Sequence, residues 1–93
     1  MVVGLVRLEI HLPYAQSLKD KRQVVRKLKE RLRARFNVAV AELDHQELWQ
    51  RATVGVVSIS NDNSHLAQVL ETVAHESEKI LKGDLVDSQI EYL

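Results

Sequence analysis

The spacing of apolar residues switches between two and about 3.6 along this chain, and the switches divide it into six elements. From Val2 to Leu12 the residues Val2, Val6, Leu8, Ile10 and Leu12 alternate with Val3, Leu5, Arg7, Glu9 and His11, a strand that Pro13 ends. Leu18, Val25, Leu28, Leu32 and Phe36 then recur at helical spacing behind Ser17 and Asp20, a capping-box pair with Asp in place of Glu. Asn37 to Leu43 and Ala52 to Ser60 are short, valine-rich and alternating, so both read as strands, joined by the connection DHQELWQR. Asn61, Asp62, Asn63 and Ser64 offer caps for a second helix, in which Leu66, Val69, Leu70, Val73, Ile80 and Leu81 form one face and Gly83 supplies the stop. Val86, Ser88, Ile90 and Tyr92 alternate with Asp87, Gln89 and Glu91 in a last strand.

The order βαββαβ predicts an α+β, ferredoxin-like fold. Two right-handed βαβ crossovers give a four-stranded antiparallel sheet, spatial order 4-1-3-2, with both helices on one face. Ninety-three residues suffice for one two-layer core, so 1–93 is expected to be a single domain. No apolar run approaches the roughly 20 residues that cross a bilayer, which predicts no membrane partner. The start is interrupted by Arg7, Glu9 and His11 in strand-like alternation, unlike a signal peptide. With no cysteine there is no disulfide, thiolate nucleophile or Cys-ligated zinc, and the default compartment is the cytoplasm.

Charge changes the picture of the first helix. The formal net charge is zero, yet nine of the thirteen Lys and Arg residues fall between Ser17 and Phe36. On a wheel of 100° per residue centred on Val25, the apolar positions 18, 28, 32 and 36 lie within about 60°. One flank is then a ridge of Lys19, Arg22, Arg26, Lys29 and Arg33, and the other carries Lys27, Arg31 and Arg35. Like pairs at 22/26, 27/31, 29/33 and 31/35 cost about 0.2 to 0.5 kcal/mol each before screening. Lys19, Lys21 and Arg22 also sit near the helix N-terminus, where the dipole disfavours cations. A helix shaped only by solubility would interleave acids. The ridge therefore reads in two ways: as a surface for structured RNA, or as a solvated face whose charge is answered by Glu71, Glu76 and Glu78 on the neighbouring helix. An RNA-recognition-motif sheet is set aside, because none of Phe36, Trp49, Tyr14 and Tyr92 falls mid-strand on the first or third strand. RNA binding would then use the basic helix and the loops, by phosphate contacts and shape rather than base stacking.

Several short runs of the chain form one longer pattern: Ser17-Leu18-Lys19 with Lys21-Arg22, then Phe36-Asn37-Val38, Ala41-Glu42 and Leu48-Trp49-Gln50-Arg51-Ala52. In this combination the chain resembles the YlxP-like family, small bacterial proteins of uncharacterised function, over nearly its whole length. The resemblance implies a ferredoxin-like fold and a gene set among translation-factor and ribosome-maturation genes, which points to an RNA or ribosomal-particle partner. It supplies no catalytic residues to carry over.

Other chemistry is thin. Glu42, Asp44, His45 and Glu47 gather near the end of the second strand and His11 at the end of the first, a conceivable carboxylate and imidazole site. No HExxH, EF-hand, GxSxG, Walker or GxGxxG pattern accompanies them, so the expectation is a non-enzymatic protein without catalytic residues, metal or cofactor. His65 and His75 are ten residues apart on the second helix and read as surface histidines. Trp49 reads either as an exposed contact residue, since Trp is over-represented at binding hot spots, or, the favoured expectation for a loop between strands, as the anchor of that loop on the sheet. If Val57 and Ile59 face the helices, the helix-free sheet face carries Val38, Val40, Val54 and Val56 on one half and Arg7, Glu9, His11, Asp87, Gln89 and Glu91 on the other. An apolar half-face of this kind is covered by a second copy or by a partner protein, which makes a protein-interaction or self-assembling, homodimeric module using the open sheet face the alternative to an RNA-binding role.

Overall fold

The computed structural model describes all of residues 1–93. Its elements are β1 (Val2–His11), α1 (Leu18–Arg35), β2 (Ala39–Asp44), β3 (Arg51–Ser60), α2 (Asn63–Leu81), a 3-10 turn (Lys82–Asp84) and β4 (Leu85–Tyr92). The strands form one antiparallel sheet in the order β2-β3-β1-β4, the predicted 4-1-3-2 arrangement, with both helices on one side. No helix is long and apolar enough to cross a membrane.

The caps are chemical. Ser17 Oγ accepts from the Asp20 amide at 3.1 Å, and the Asp20 carboxylate accepts from the Gln16 amide at 3.0 Å, one residue earlier than a reciprocal capping box would reach. Of the four candidates before α2, Asp62 is the cap, accepting from the His65 amide at 3.1 Å. The stop of α2 differs from expectation. Lys82, at φ 54°, takes the positive-φ position, and Gly83 lies in the 3-10 turn with negative φ.

The register settles which side of the sheet is the core. Val6 faces Val56, Leu8 faces Val54 and Ile10 faces Ala52, and all six are buried under the helices. Val40 pairs with Val56 on that same side. The expectation that Val38, Val40, Val54 and Val56 lie on the helix-free face is therefore overturned. Val54 and Val56 are fully buried core, Val38 and Val40 pack against it, and Val57 and Ile59 are turned outward. The physical reason is Ser58. A serine in the strand suggests a solvent-facing position, but its hydroxyl is buried on the core side and donates to the Asn37 carbonyl at 3.0 Å. The charged half of the open face, Arg7 and Glu9 beside Gln89 and Asp87, lies where predicted.

Fifteen buried apolar residues form one cluster, to which α1 adds Val25, Leu28 and Leu32 and α2 adds Leu66, Leu70, Val73 and Leu81. Each such burial is worth about 1.5–3 kcal/mol, which outweighs the like-charge repulsion along α1. Contact between α2 and β1 is close at Gly4, where a Cβ would run into Leu70 Cδ1.

Candidate nucleic-acid interface

Helix α1 sits between its own buried stripe and two different neighbours. Its C-terminal end meets α2, where the Arg35 guanidinium pairs with Glu76, which also lies 3.8 Å from Lys79. Arg26 lies about 180° around the helix from Arg35, so the ridge occupies the flank turned away from α2. Lys19, Arg22, Arg26 and Arg33 are exposed and Lys29 is half-buried. Of the acids expected to answer that charge, only Glu76 reaches α1, and it does so on the opposite flank. None of the five ridge residues is in an ion pair. They form a row about 21 Å long, from fourteen steps of 1.5 Å along the helix.

One cation of α1 behaves differently. Lys21 is fully buried, and its ammonium donates to the carbonyls of His45 at 2.8 Å and Gln46 at 3.1 Å. Its third neighbour is Glu42 Oε2 at 2.9 Å, a charge contact angled away from hydrogen-bond geometry, so that this buried oxygen has no directed donor. His45 adopts a left-handed conformation, φ 63°, at the turn out of β2. Lys21 had no place in the ridge or in any site read from the sequence. The signal was present: the wheel puts it about 40° from Val25, inside the apolar arc.

Lys21 thereby fixes one end of the loop between β2 and β3, and Gln50 fixes the other. The Leu12 amide donates to the Gln50 carbonyl at 2.8 Å, and Gln50 Nε2 donates to the carbonyls of Pro13 at 3.1 Å and Ala15 at 3.2 Å. Trp49 is not the anchor expected of it. It stands 52% exposed beside Leu48 at 46%, because Gln50 and Lys21 already hold the loop. Tyr14, in the β1–α1 connection at this same end, donates to Asp84 at 2.7 Å, and that bond with the adjacent carboxylate pushes its hydroxyl pKa up to about 12.

The cluster of Glu42, Asp44, His45, Glu47 and His11 does not assemble. Glu42 points into the helix layer toward Lys21, whereas Asp44 accepts from the His45 backbone amide at 2.7 Å. No group of three or more His, Asp or Glu side chains is placed to hold a metal ion. On the open face, the central strands present Leu5, Arg7 and Glu9 beside Val57, Gly55 and Thr53, with no aromatic residue for base stacking.

Comparison with known proteins agrees with this architecture and leaves its use open. The profile of a family described as a protein of unknown function (DUF503) matches residues 3–90. The uncharacterized protein YlxP of Bacillus subtilis (strain 168) is 31% identical over 72 residues, which cover 77% of this chain and 78% of YlxP. Among solved structures, a de novo designed protein with a ferredoxin fold superposes with a TM-score of 0.60 at 8% identity, over 100% of this chain and 84% of its own. An Arabidopsis thaliana protein superposes with a TM-score of 0.54 at 12% identity, over 98% and 92%. At such identities the structural likeness is one of fold. Lys21, Glu42, Trp49 and Gln50, which lie in the short runs that carry the sequence resemblance, build and tip the β2–β3 loop.

Proposed function

We propose, from the premise that the chain belongs to the DUF503 family of proteins of unknown function, that residues 1–93 are one cytoplasmic domain that binds structured RNA or a ribosomal particle without catalysing a reaction. Lys19, Arg22, Arg26, Lys29 and Arg33 are its phosphate contacts. The observation that carries this reading is the destination of the acids on α2: Glu76 meets Arg35 on the far flank, and the ridge keeps its charge without a carboxylate partner. Unanswered like charges on one rigid helix cost stability. A polyanion laid along the row recovers that cost and releases its own counterions.

Five phosphate contacts predict that log affinity falls with log salt concentration at a slope of about −4. Replacing Arg26 and Lys29 together by Glu should flatten the slope by about two contacts and weaken binding to a structured RNA. Affinity that ignores both salt and these substitutions would retire the reading.

A second reading has its own observation. The β2 and β3 half of the helix-free face is an uncovered apolar stripe, with Val57 half-buried, Leu43 45% exposed and Ile59 56% exposed. A twofold axis lays such a stripe on itself and needs no separately evolved complement, so the occupant of this reading is a second copy of the chain.

A further inference from the structure

Where β1 ends and β3 begins, His11, Glu47, Leu48, Trp49, Gln50 and Arg51 border an open depression. His11 and Arg51 are direct cross-strand partners one step beyond the core pair Ile10 and Ala52, so both point to the helix-free side. The depression is built on a held loop. Its backbone is tied by Lys21 to the carbonyls of His45 and Gln46, and by Gln50 to those of Pro13 and Ala15. A free loop would turn an indole inward, since burying a side chain of that size is favourable. Here a buried lysine and a left-handed residue fix the loop, and Trp49 and Leu48 remain in solvent. Arg51 beside them has no acid partner.

An aromatic platform next to an unpaired guanidinium and an imidazole matches a ligand that is planar at one end and anionic at the other. We propose that this depression takes one unpaired nucleotide, its base stacked on the Trp49 indole and its phosphate on Arg51 and His11. Glu47 is the rim's acid. Its carboxylate opposes a second phosphate and accepts from an exocyclic amino group, which favours adenine, cytosine or guanine over uracil. The inference deepens the RNA reading by giving the bound RNA an extruded base beside its paired segment, since the sheet offers no stacking surface of its own. A free mononucleotide presents the same chemistry, and the test separates the two sources.

Trp49 is the single tryptophan of the chain, so its emission reports the occupant directly. The full chain is titrated with AMP, with UMP, with an RNA hairpin carrying one bulged adenosine, and with the same hairpin fully paired. AMP is expected to quench Trp49 more than UMP. The bulged hairpin should bind about tenfold more tightly than the paired one, the worth of one stacked base. Arg51→Ala should weaken both AMP and the bulged hairpin. The Arg26→Glu, Lys29→Glu chain should lose hairpin affinity yet keep AMP quenching, which tells a failed ridge from a failed pocket. If neither AMP nor the bulged hairpin changes Trp49 emission, or if paired and bulged hairpins bind and quench alike while AMP leaves the emission unchanged, the nucleotide site is overturned. Quenching by AMP with no preference for the bulge assigns the site to the free nucleotide.

Discussion

Lys21 is a charged side chain with no exposure, held by two carbonyls and one carboxylate. Removing its ammonium leaves Glu42 Oε2 buried without a counter-charge, the situation in which a broken pair costs about 3–5 kcal/mol. Lys21→Met should therefore lower the urea midpoint severely, and adding Glu42→Leu should restore more than half of the loss. A double variant no more stable than the single one would contradict the pairing. Half of this was legible in the sequence. The wheel shows a lysine inside an apolar arc, but its partner depends on which face of β2 is inward, and the alternation of that short strand does not say. Tyr14 gives a prediction with a definite sign. Its pKa is raised from 10.0 to about 12, so in that window the folded state holds a proton that the unfolded chain has released. The contribution is fully present below pH 10 and is lost as pH rises toward 12. Alkaline unfolding should show that decline in the natural chain and less of it in Tyr14→Phe.

At the scale of elements, α1 was legible to its N-cap, Ser17, whereas Phe36, counted among the helical positions, is the extended residue just past its end. The test variant on its ridge should fold as well as the natural chain. Arg26→Glu with Lys29→Glu removes the 22/26 and 29/33 repulsions and gives up an Arg26–Glu30 attraction. Both repulsions become attractions and the one attraction becomes a repulsion, so at about 0.2–0.5 kcal/mol per pair the variant gains no more than about 1 kcal/mol. Thermal midpoints of the two chains should agree within a few degrees. Helix α2 ends at Leu81, two residues before its glycine, and the backbone reverses at Lys82, because a periodic pattern marks the last buried turn but not the residue that reverses the backbone. Lys82 at φ 54° carries strain that a glycine would not. Lys82→Gly should stabilise the chain by about 1 kcal/mol, read as a higher urea midpoint. The face of β3 was misread for a reason that belongs to this scale. Its run from Ala52 to Ile59 carries apolar residues on both sides, Ser58 suggests the wrong side as the solvent-facing one, and only the pairing with Val6 and Leu8 decides.

For the whole molecule, one side of the sheet is covered by two helices and the other by nothing in this chain. If a second copy covers it, sedimentation equilibrium should find dimers, and Val57→Asp should give monomers with an unchanged circular dichroism spectrum. Monomers at every concentration would remove that reading. The same substitution at Val56 would test stability instead, since Val56 is fully buried. The candidate site was legible in part. The charge of the ridge could be read from spacing alone, whereas its isolation from Glu76 required the packing of two helices. The position of the loop that carries Trp49 could be read, but not how it is held, because what fixes it are carbonyl bonds from residues distant in the chain. The burial of Lys21 also has a chemical consequence. Five of the six lysines have amines open to solvent, and one is enclosed. An amine-acylating reagent should label five lysines promptly on the folded protein and reach the sixth lysine only when the β2–β3 loop lets go. The slow label would then time the opening of the end of the molecule that presents Trp49.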